Sequence, residues 1–161
     1  MRTDLSKATF IIPIRIESDD RMRNVITSLA FLLENFKTNI IVKEVDSRSI
    51  FQEDVLPILN DICNVPVDLV HIFEKSDEPL FHRQRVLNEM IMEAKTEIVV
   101  NYDCDVILPI ESYVLAYTGI LENIYDVVYP YGSGLYQKKV AATDITVSKF
   151  LETGDYEFLN A

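Results

Sequence analysis

The sequence predicts an α/β fold built on a mostly parallel sheet with helices on both faces. Short apolar runs of strand length alternate with longer stretches in which apolar residues recur at helical spacing. The apolar runs are nearly continuous, as expected for strands that are buried on both faces of a parallel sheet. Charged residues directly follow several of these runs, at the edge where such sheets bind ligands.

The elements follow one another in a regular strand and helix order. The predicted strands are 9–14, 40–46, 67–73, 97–102 and 126–131, and the predicted helices lie within 18–36, 55–63, 82–95, 110–124 and 144–152. Ser18 is expected to cap the first helix, Pro57 lies in the first turn of the second, and Gly132 to Gly134 form a turn after the fifth strand. This order predicts right-handed crossovers and a Rossmann-like topology. No repeat or linker interrupts it, so we expect a single domain over 1–161.

Composition limits the class of protein. The chain has 161 residues, is 48% hydrophobic and carries a formal net charge of −11, which disfavours binding to nucleic acids or anionic membranes. The apolar run 8–14 is too short to span a bilayer and lacks the pattern of a signal peptide. Cys63 and Cys104 have no zinc or disulfide spacing, so a reducing cytoplasm is the expected location.

Two aspartates follow the fourth predicted strand. Asp103 and Asp105 are alternate residues at its carboxyl end, where both carboxylates could share a hard divalent cation that bridges the phosphates of a nucleoside diphosphate. A solvated turn is the alternative, since aspartate is common where strands end. The position after a buried strand favours the metal interpretation.

Basic residues are predicted to supply a diphosphate site. Arg15 follows the first strand and could pair with a phosphate or contact the base, or it could be an ordinary surface arginine. Arg83 and Arg85 open the third helix, whose N-terminus favours anions. The alternative is that these two arginines pair with glutamates on the helix surface, namely Glu78, Glu89 or Glu93.

Three further polar residues have weaker assignments. Asp46 ends the second strand and could accept hydrogen bonds from a uracil or ribose, or serve only as a turn residue. His82 could join a metal site but is more typical of a helix start, and His71 lies inside a strand pattern as core or edge structure.

Taken in order, these residues resemble the animal β-1,4-galactosyltransferases and the related family-2-type polysaccharide glycosyltransferases, which share the GT-A fold. Ile11-Ile-Pro-Ile-Arg15 resembles the family's I-I-P-F-R segment, and Phe81-His-Arg-Gln-Arg-Val-Leu-Asn88 resembles its F-N-R-A-K-L-L-N segment. Asp103-Cys-Asp-Val-Ile-Leu-Pro109 resembles its D-V-D-L-I-P segment. Segment 129–134 is similar to a tyrosine- and glycine-rich stretch near the sugar in the polymerase-like relatives.

The resemblance implies roles for individual residues. Arg15 and Arg83 would contact the nucleotide and its phosphates, and Phe81 would pack near the base or ribose. Asp105 would ligate Mn²⁺ or Mg²⁺, and Asp103 would hold the donor sugar or assist the metal. The implied reaction transfers a sugar from a nucleoside diphosphate sugar, a UDP-sugar, to a hydroxyl of a saccharide or glycan acceptor, with inversion.

The sequence also departs from that family. Its acidic acceptor segment and its metal-ligating histidine have no counterpart, and the late acids Glu152, Asp155 and Glu157 do not match in spacing. We therefore expect 1–161 to end before the acceptor-binding half, with the catalytic base unassigned. The alternatives are a nucleotide-sugar-binding module without catalysis, a sugar nucleotidyltransferase and a structural α/β domain. The absence of glycine from 14–18 disfavours the nucleotidyltransferase.

Overall fold

The computed structural model describes residues 2–132 and 143–159. The chain divides into two compact units, Met1–Ile107 and Leu108–Ala161. The first unit contains the sheet, and the helices described in the second are α4, α5 and a short 3₁₀ turn. The single domain that the sequence predicts over 1–161 stays a prediction.

The described strands and helices follow the predicted order. The strands are β1 Thr3–Ile14, β2 Phe36–Asp46, β3 Val70–Lys75 and β4 Ile98–Asn101. The helices are α1 Asp19–Asn35, α2 Leu56–Ile62, α3 Arg83–Glu93, α4 Ile110–Leu121 and α5 Asp144–Thr153, with a π-helical turn at Phe51–Val55 and a 3₁₀ turn at Tyr156–Leu159.

The four strands form one parallel sheet in the order β3-β2-β1-β4. The α/β fold class and the parallel sheet are therefore confirmed. Successive strands extend in one direction from β1 to β3, and the chain then returns to place β4 on the other side of β1. Because crossovers in parallel sheets are right-handed, this reversal assigns α3 to the opposite face from α1 and α2.

Helix α1 begins and ends where its sequence dictates. The Ser18 side chain accepts a hydrogen bond from the Arg21 backbone N–H at 3.3 Å, which caps the first turn as predicted. Phe36 is extended and directly starts β2. Eight residues of α1 are buried, so this helix forms a large part of the core beside the sheet: Val25, Thr27, Ser28, Leu29, Ala30, Phe31, Leu32 and Leu33.

Helix α3 packs on the sheet through its apolar stripe. Val86, Leu87 and Met90 form a buried cluster with residues of the two central strands, among them Ile11 and Ile41. Since side chains alternate across a strand, the neighbouring Phe10 and Ile12 of β1, both fully buried, face the opposite side of the sheet. The central strand β1 is thus covered on both faces.

The predicted fifth strand is wrong. Residues 126–131 are irregular, and their apolar side chains are exposed, Val127 by 70% and Tyr129 by 75%. Among the described residues no strand pairs with this segment, and Pro130 lacks the N–H that a ladder hydrogen bond needs. Of the turn predicted over 132–134, Ser133 and Gly134 lie outside the described residues.

Strand boundaries also differ from the prediction. β1 and β2 start earlier than expected, because Thr3 and Asp4 pair with Phe36 and Lys37 outside the apolar run. The register shifts between Asp4 and Thr9 before the regular ladder continues. The apolar pattern thus marked the buried half of each strand.

The second unit contains a helix predicted over 144–152. Thr143 caps α5 in a reciprocal arrangement with Thr146, and Gly154 ends it in the left-handed conformation at φ 69°. The Tyr156 hydroxyl donates to the Leu108 carbonyl at 2.8 Å within this unit. None of the helices in the described ranges is both long and apolar enough to cross a membrane.

Candidate functional site

The order of the strands defines one edge where a ligand is expected. β1 and β4 are neighbours, with Ile11 opposite Asn101, and the direction of the connections reverses between them. Parallel α/β sheets bind ligands beyond the carboxyl ends of the strands at such a reversal. Arg15 follows β1 there, and Asp103 and Asp105 follow β4.

Arg83 and Asp103 are in contact at this edge. Arg83, the first residue of α3, forms an ion pair through Nη2 with Asp103 Oδ1 and also donates to Asn101 Oδ1 at 3.2 Å. The two side chains are 36% and 59% exposed, so both remain accessible to solvent. Two residues from separate predicted blocks, 20 positions apart in the chain, are thus brought together.

The 103–106 turn that carries both aspartates is fixed by buried neighbours. The Ser28 hydroxyl of α1 donates to the Cys104 carbonyl at 2.7 Å, and the Tyr102 hydroxyl donates to the Val106 carbonyl at 2.5 Å. Both donors are buried, whereas Asp103 and Asp105 are exposed. The carboxylates therefore stand on a rigid base and face solvent.

The turn carries two carboxylates, the type of ligand that hard divalent cations prefer. Among the described residues, no group of three or more His, Cys, Asp or Glu could hold a metal ion. Asp103 and Asp105 offer two hard oxygen ligands, and in the described part of the chain the Asp105 carboxylate has no hydrogen-bond or ion-pair partner. Magnesium-like cations are commonly held by one or two carboxylates plus substrate phosphates, which matches this donor set.

Arg15 is mostly covered and connects two loops. Its side chain is 14% exposed, its Nη1 donates to the Glu78 carbonyl at 2.8 Å, and its Nε lies 3.6 Å from Glu17 Oε1. His82 contacts the Glu78 carboxylate at 3.2 Å. Arg15 thus ties the end of β1 to the loop that leads into α3. Its contact with a phosphate or a base stays a prediction.

Arg85 pairs with two glutamates, of which the alternative interpretation named Glu89 but not Glu74. Its guanidinium contacts Glu74 at 2.6 Å and Glu89 at 2.8 Å. The hydrogen bond with Glu74 is the main cause, and that with Glu89 the second, of the raised pKa of Arg85. The hydrogen bond with Arg85 is likewise the main cause of the lowered pKa of Glu74. The two arginines at the start of α3 therefore differ, because Arg83 faces the aspartate turn and Arg85 does not.

Asp46 and Phe81 have local structural partners. Asp46 is buried at the end of β2, and its Oδ1 accepts hydrogen bonds from the Ser47 N–H at 2.7 Å and the Ser47 hydroxyl at 3.4 Å. This is the turn role given as its alternative. Phe81 is half-buried and packs against the cluster that α3 forms with the sheet. Their roles toward a nucleotide stay predictions.

Cys104 lies between the two aspartates and is chemically quiet. Burial, followed by the nearby Asp105 carboxylate, raises the pKa of its thiol to about 11. The thiol is therefore protonated at neutral pH and is a poor nucleophile. Its sulfur is also a softer ligand than a carboxylate oxygen, which Mg²⁺ and Mn²⁺ prefer. Asp103 and Asp105 remain the ligands to consider in this turn.

Sequence reasoning missed several residues that build the site. Asn101 receives a hydrogen bond from Arg83, and its signal was a polar residue at the end of an apolar strand. Ser28 carried no signal, because a serine inside an apolar helical stripe resembles any small core residue. Outside this site, Glu44 also had no assignment: it is fully buried and accepts hydrogen bonds from Ser49, Phe51 and His71 at 2.7, 2.9 and 3.2 Å.

The comparisons with known proteins do not assign a family. No protein-family model matches this sequence, and no curated protein matches it significantly. The fold and the edge between β1 and β4 define an α/β protein with a candidate ligand site. The residues at that edge are therefore the basis for a proposed function.

Proposed function

We propose that this chain binds a nucleoside diphosphate sugar, a UDP-sugar, at the edge between β1 and β4. The proposed reaction is that of a GT-A-type glycosyltransferase in polysaccharide biosynthesis. It moves the sugar to a hydroxyl of a saccharide or glycan acceptor, depends on Mn²⁺ or Mg²⁺ and inverts the anomeric carbon. Two observations support this proposal: the resemblance of segments 11–15, 81–88 and 103–109 to that family, and the position of their charged residues in the fold.

One observation carries the proposal, namely the contact between Arg83 and Asp103 beside the strand reversal. A cation binder and a phosphate binder are expected within reach of each other when a metal and a diphosphate share one site. In a protein with a net charge of −11, such a local arrangement is required before a diphosphate can bind. The three blocks of the resemblance contribute Arg15, Arg83, Asp103 and Asp105 to this edge.

The chemistry assigned to each residue follows from its donors. Arg83 has a planar guanidinium suited to two phosphate oxygens, and it stands at the N-terminus of α3, where the helix dipole favours negative charge. Asp103 and Asp105 would hold the divalent cation, which when bound neutralises charge on the departing diphosphate. Arg15 holds the loop before α3 through the Glu78 carbonyl and would thereby orient Arg83.

Metal-dependent binding of UDP tests the proposal. In titration calorimetry we expect UDP to bind in Mn²⁺ and to lose at least about tenfold in affinity in EDTA. Asp105→Ala should abolish this difference, because one of the two carboxylate ligands is removed. Asp61→Ala removes an exposed carboxylate from α2 and should bind UDP like the unchanged protein. Equal affinity with and without Mn²⁺ would refute the metal-dependent site.

Turnover is tested separately from binding. The contacts at this edge concern the donor, and they would serve equally in a nucleotide-sugar-binding module without catalysis. For the transferase we expect hydrolysis of a UDP-sugar in Mn²⁺, which is measured as released UDP. Binding of UDP without any hydrolysis or transfer would support the module instead.

A further inference from the structure

The ion pair between Arg83 and Asp103 joins two side chains that would bind ligands of opposite charge in the proposed function. Arg83 would hold the diphosphate, and Asp103 would assist the cation or the donor sugar. We propose that this pair is exchanged on binding, so that the metal and the diphosphate bind cooperatively, each raising the affinity for the other. This inference rests on the proposed function and adds to it the residue pair through which the metal and the diphosphate are coupled.

The geometry makes the pair exchangeable. Its side chains are 36% and 59% exposed, and exposed ion pairs contribute little to stability. Arg83 Nη2, the atom that pairs with Asp103, also donates to Asn101 Oδ1 at 3.2 Å, so the guanidinium keeps a partner beside β4 when Asp103 is released. The 103–106 turn is fixed by Ser28 and Tyr102, so Asp103 can change partner without movement of its backbone.

Competition between partners explains the coupling. A cation that binds the Asp103 carboxylate must compete with the Arg83 guanidinium, and a diphosphate that binds Arg83 must compete with Asp103. When both ligands arrive, Arg83 pairs with phosphate, Asp103 pairs with the cation, and the two ligands attract each other. Such coupling is reciprocal, because each ligand changes the affinity of the other by the same factor.

Arg85 provides a matched control on the same helix. It carries the same charge two residues further on, but its partners are Glu74 and Glu89, which lie outside the aspartate turn. Loss of either arginine makes the protein more negative by one charge. A difference between the two variants therefore reports the local pair and excludes the general attraction of a more acidic protein for cations.

The test measures Mn²⁺ and UDP binding separately and together in the unchanged chain, Arg83→Gln and Arg85→Gln. Electron paramagnetic resonance of free Mn²⁺ gives the affinity for metal, and calorimetry gives the affinity for UDP. We expect Arg83→Gln to bind Mn²⁺ alone more tightly than Arg85→Gln does, by up to about fivefold, the value of an exposed ion pair. The same variant should bind UDP in Mn²⁺ at least about tenfold more weakly.

Opposite changes for metal and nucleotide in one variant support the exchange, since a merely unfolded or loosened site would weaken both. If the unchanged chain binds UDP in Mn²⁺ but Arg83→Gln and Arg85→Gln have the same affinity for Mn²⁺ alone, the exchange is overturned and the proposed function stands. If the unchanged chain binds no UDP in Mn²⁺, the proposed function falls, and the exchange falls with it.

Discussion

The 103–106 turn depends on two hydroxyl groups that come from different parts of the chain. Ser28 reaches it from α1 and holds the Cys104 carbonyl, and Tyr102 holds the Val106 carbonyl from the end of β4. Ser28 and Cys104 are 76 residues apart in the sequence, so this hydrogen bond connects a helix to a distant turn. Both aspartates are positioned by residues that do not themselves touch a ligand in the proposed site.

Removal of the Ser28 hydroxyl tests this support. Ser28→Ala leaves the Cys104 carbonyl without its donor, which should lower the free energy of unfolding by about 1–2 kcal/mol. Urea denaturation measures that loss. Amide hydrogen exchange should in addition become faster in the 103–106 turn, because the turn loses a contact that fixes it.

Thr27 is the control for a general effect of a lost buried hydroxyl. It is also buried, and its Oγ1 donates to the Arg23 carbonyl of its own helix at 2.7 Å. Thr27→Ala should lower stability without a change in exchange of the 103–106 amides. If both variants accelerate exchange in this turn equally, Ser28 has no special role there.

Four charged residues join three elements on the α3 side of the sheet. Lys43 of β2 contacts Glu74 of β3 at 3.2 Å and also pairs with Glu89 of α3, while Arg85 of α3 contacts both glutamates. Lys43 is only 11% exposed in its side chain, so its charge needs these partners. We call these residues the Lys43 network; it fixes α3 over the strands.

The pKa shifts of the Lys43 network predict how stability changes with pH. Hydrogen bonds lower the pKa of Glu74, mainly from Arg85, and of Glu89, mainly from Lys43. Their contribution is present above the ordinary value of 4.5 and is lost as pH falls through the lowered folded pKa. Burial lowers the pKa of Lys43, but its contacts with Glu89 and Glu74 outweigh burial and raise it above the ordinary value of 10.5. The contribution of Lys43 to stability is therefore present below pH 10.5 and is lost only as the pH rises through the raised pKa.

Glu89→Gln should flatten the acid side of this dependence. We expect its free energy of unfolding to fall less than that of the unchanged protein between about pH 5 and pH 3, because one depressed carboxylate is gone. Urea denaturation at several pH values measures the slope. Glu93→Gln, an exposed substitution on the same helix, should keep the original slope. An unchanged slope in Glu89→Gln would show that the lowered pKa of Glu89 contributes nothing to the pH dependence of stability.

The accuracy of the sequence-based prediction differed between buried and exposed elements. The apolar runs around Ile11, Val42, Ile72 and Val99 predicted the four described strands, because strands of a parallel sheet are rich in apolar residues. The segment 126–131 is also rich in apolar residues, but no strand of the described residues pairs with it, and Val127 and Tyr129 are exposed. Strand pairing is a tertiary property that local sequence does not encode.

The candidate site was predictable to the extent that its residues follow strands or start helices. Arg83 and Asp103 were placed at one edge by topology alone, and their direct contact agrees with that placement. The engagement of Arg15 with the Glu78 carbonyl and of Asp46 with Ser47 could not be predicted, since loop conformation decides those partners. The roles of these residues toward a nucleotide depend on ligand binding.

At the scale of the whole molecule, the two units differ in how much they bury. Strand β1 of the first unit pairs on both edges, and Ile11 and Ile12 have no exposed surface. Of the second unit's helices, α4 buries only Tyr113 and Gly119. Protection against local opening increases with buried apolar contacts, so the two units should open at different free energies.

Native-state hydrogen exchange with a denaturant series, read by mass spectrometry, tests this difference. Amides of 9–14 in β1 should exchange only through global unfolding, with a strong dependence on denaturant. Amides of 110–121 in α4 should exchange at least about tenfold faster and with a weaker dependence, because a small unit exposes less surface when it opens. Helix α1, with its eight buried residues, is the internal standard for a helix that opens only with the sheet. Equal rates and equal denaturant dependence in α1, β1 and α4 would mean that the chain unfolds as one cooperative body, and the lower burial of α4 would then have no energetic consequence.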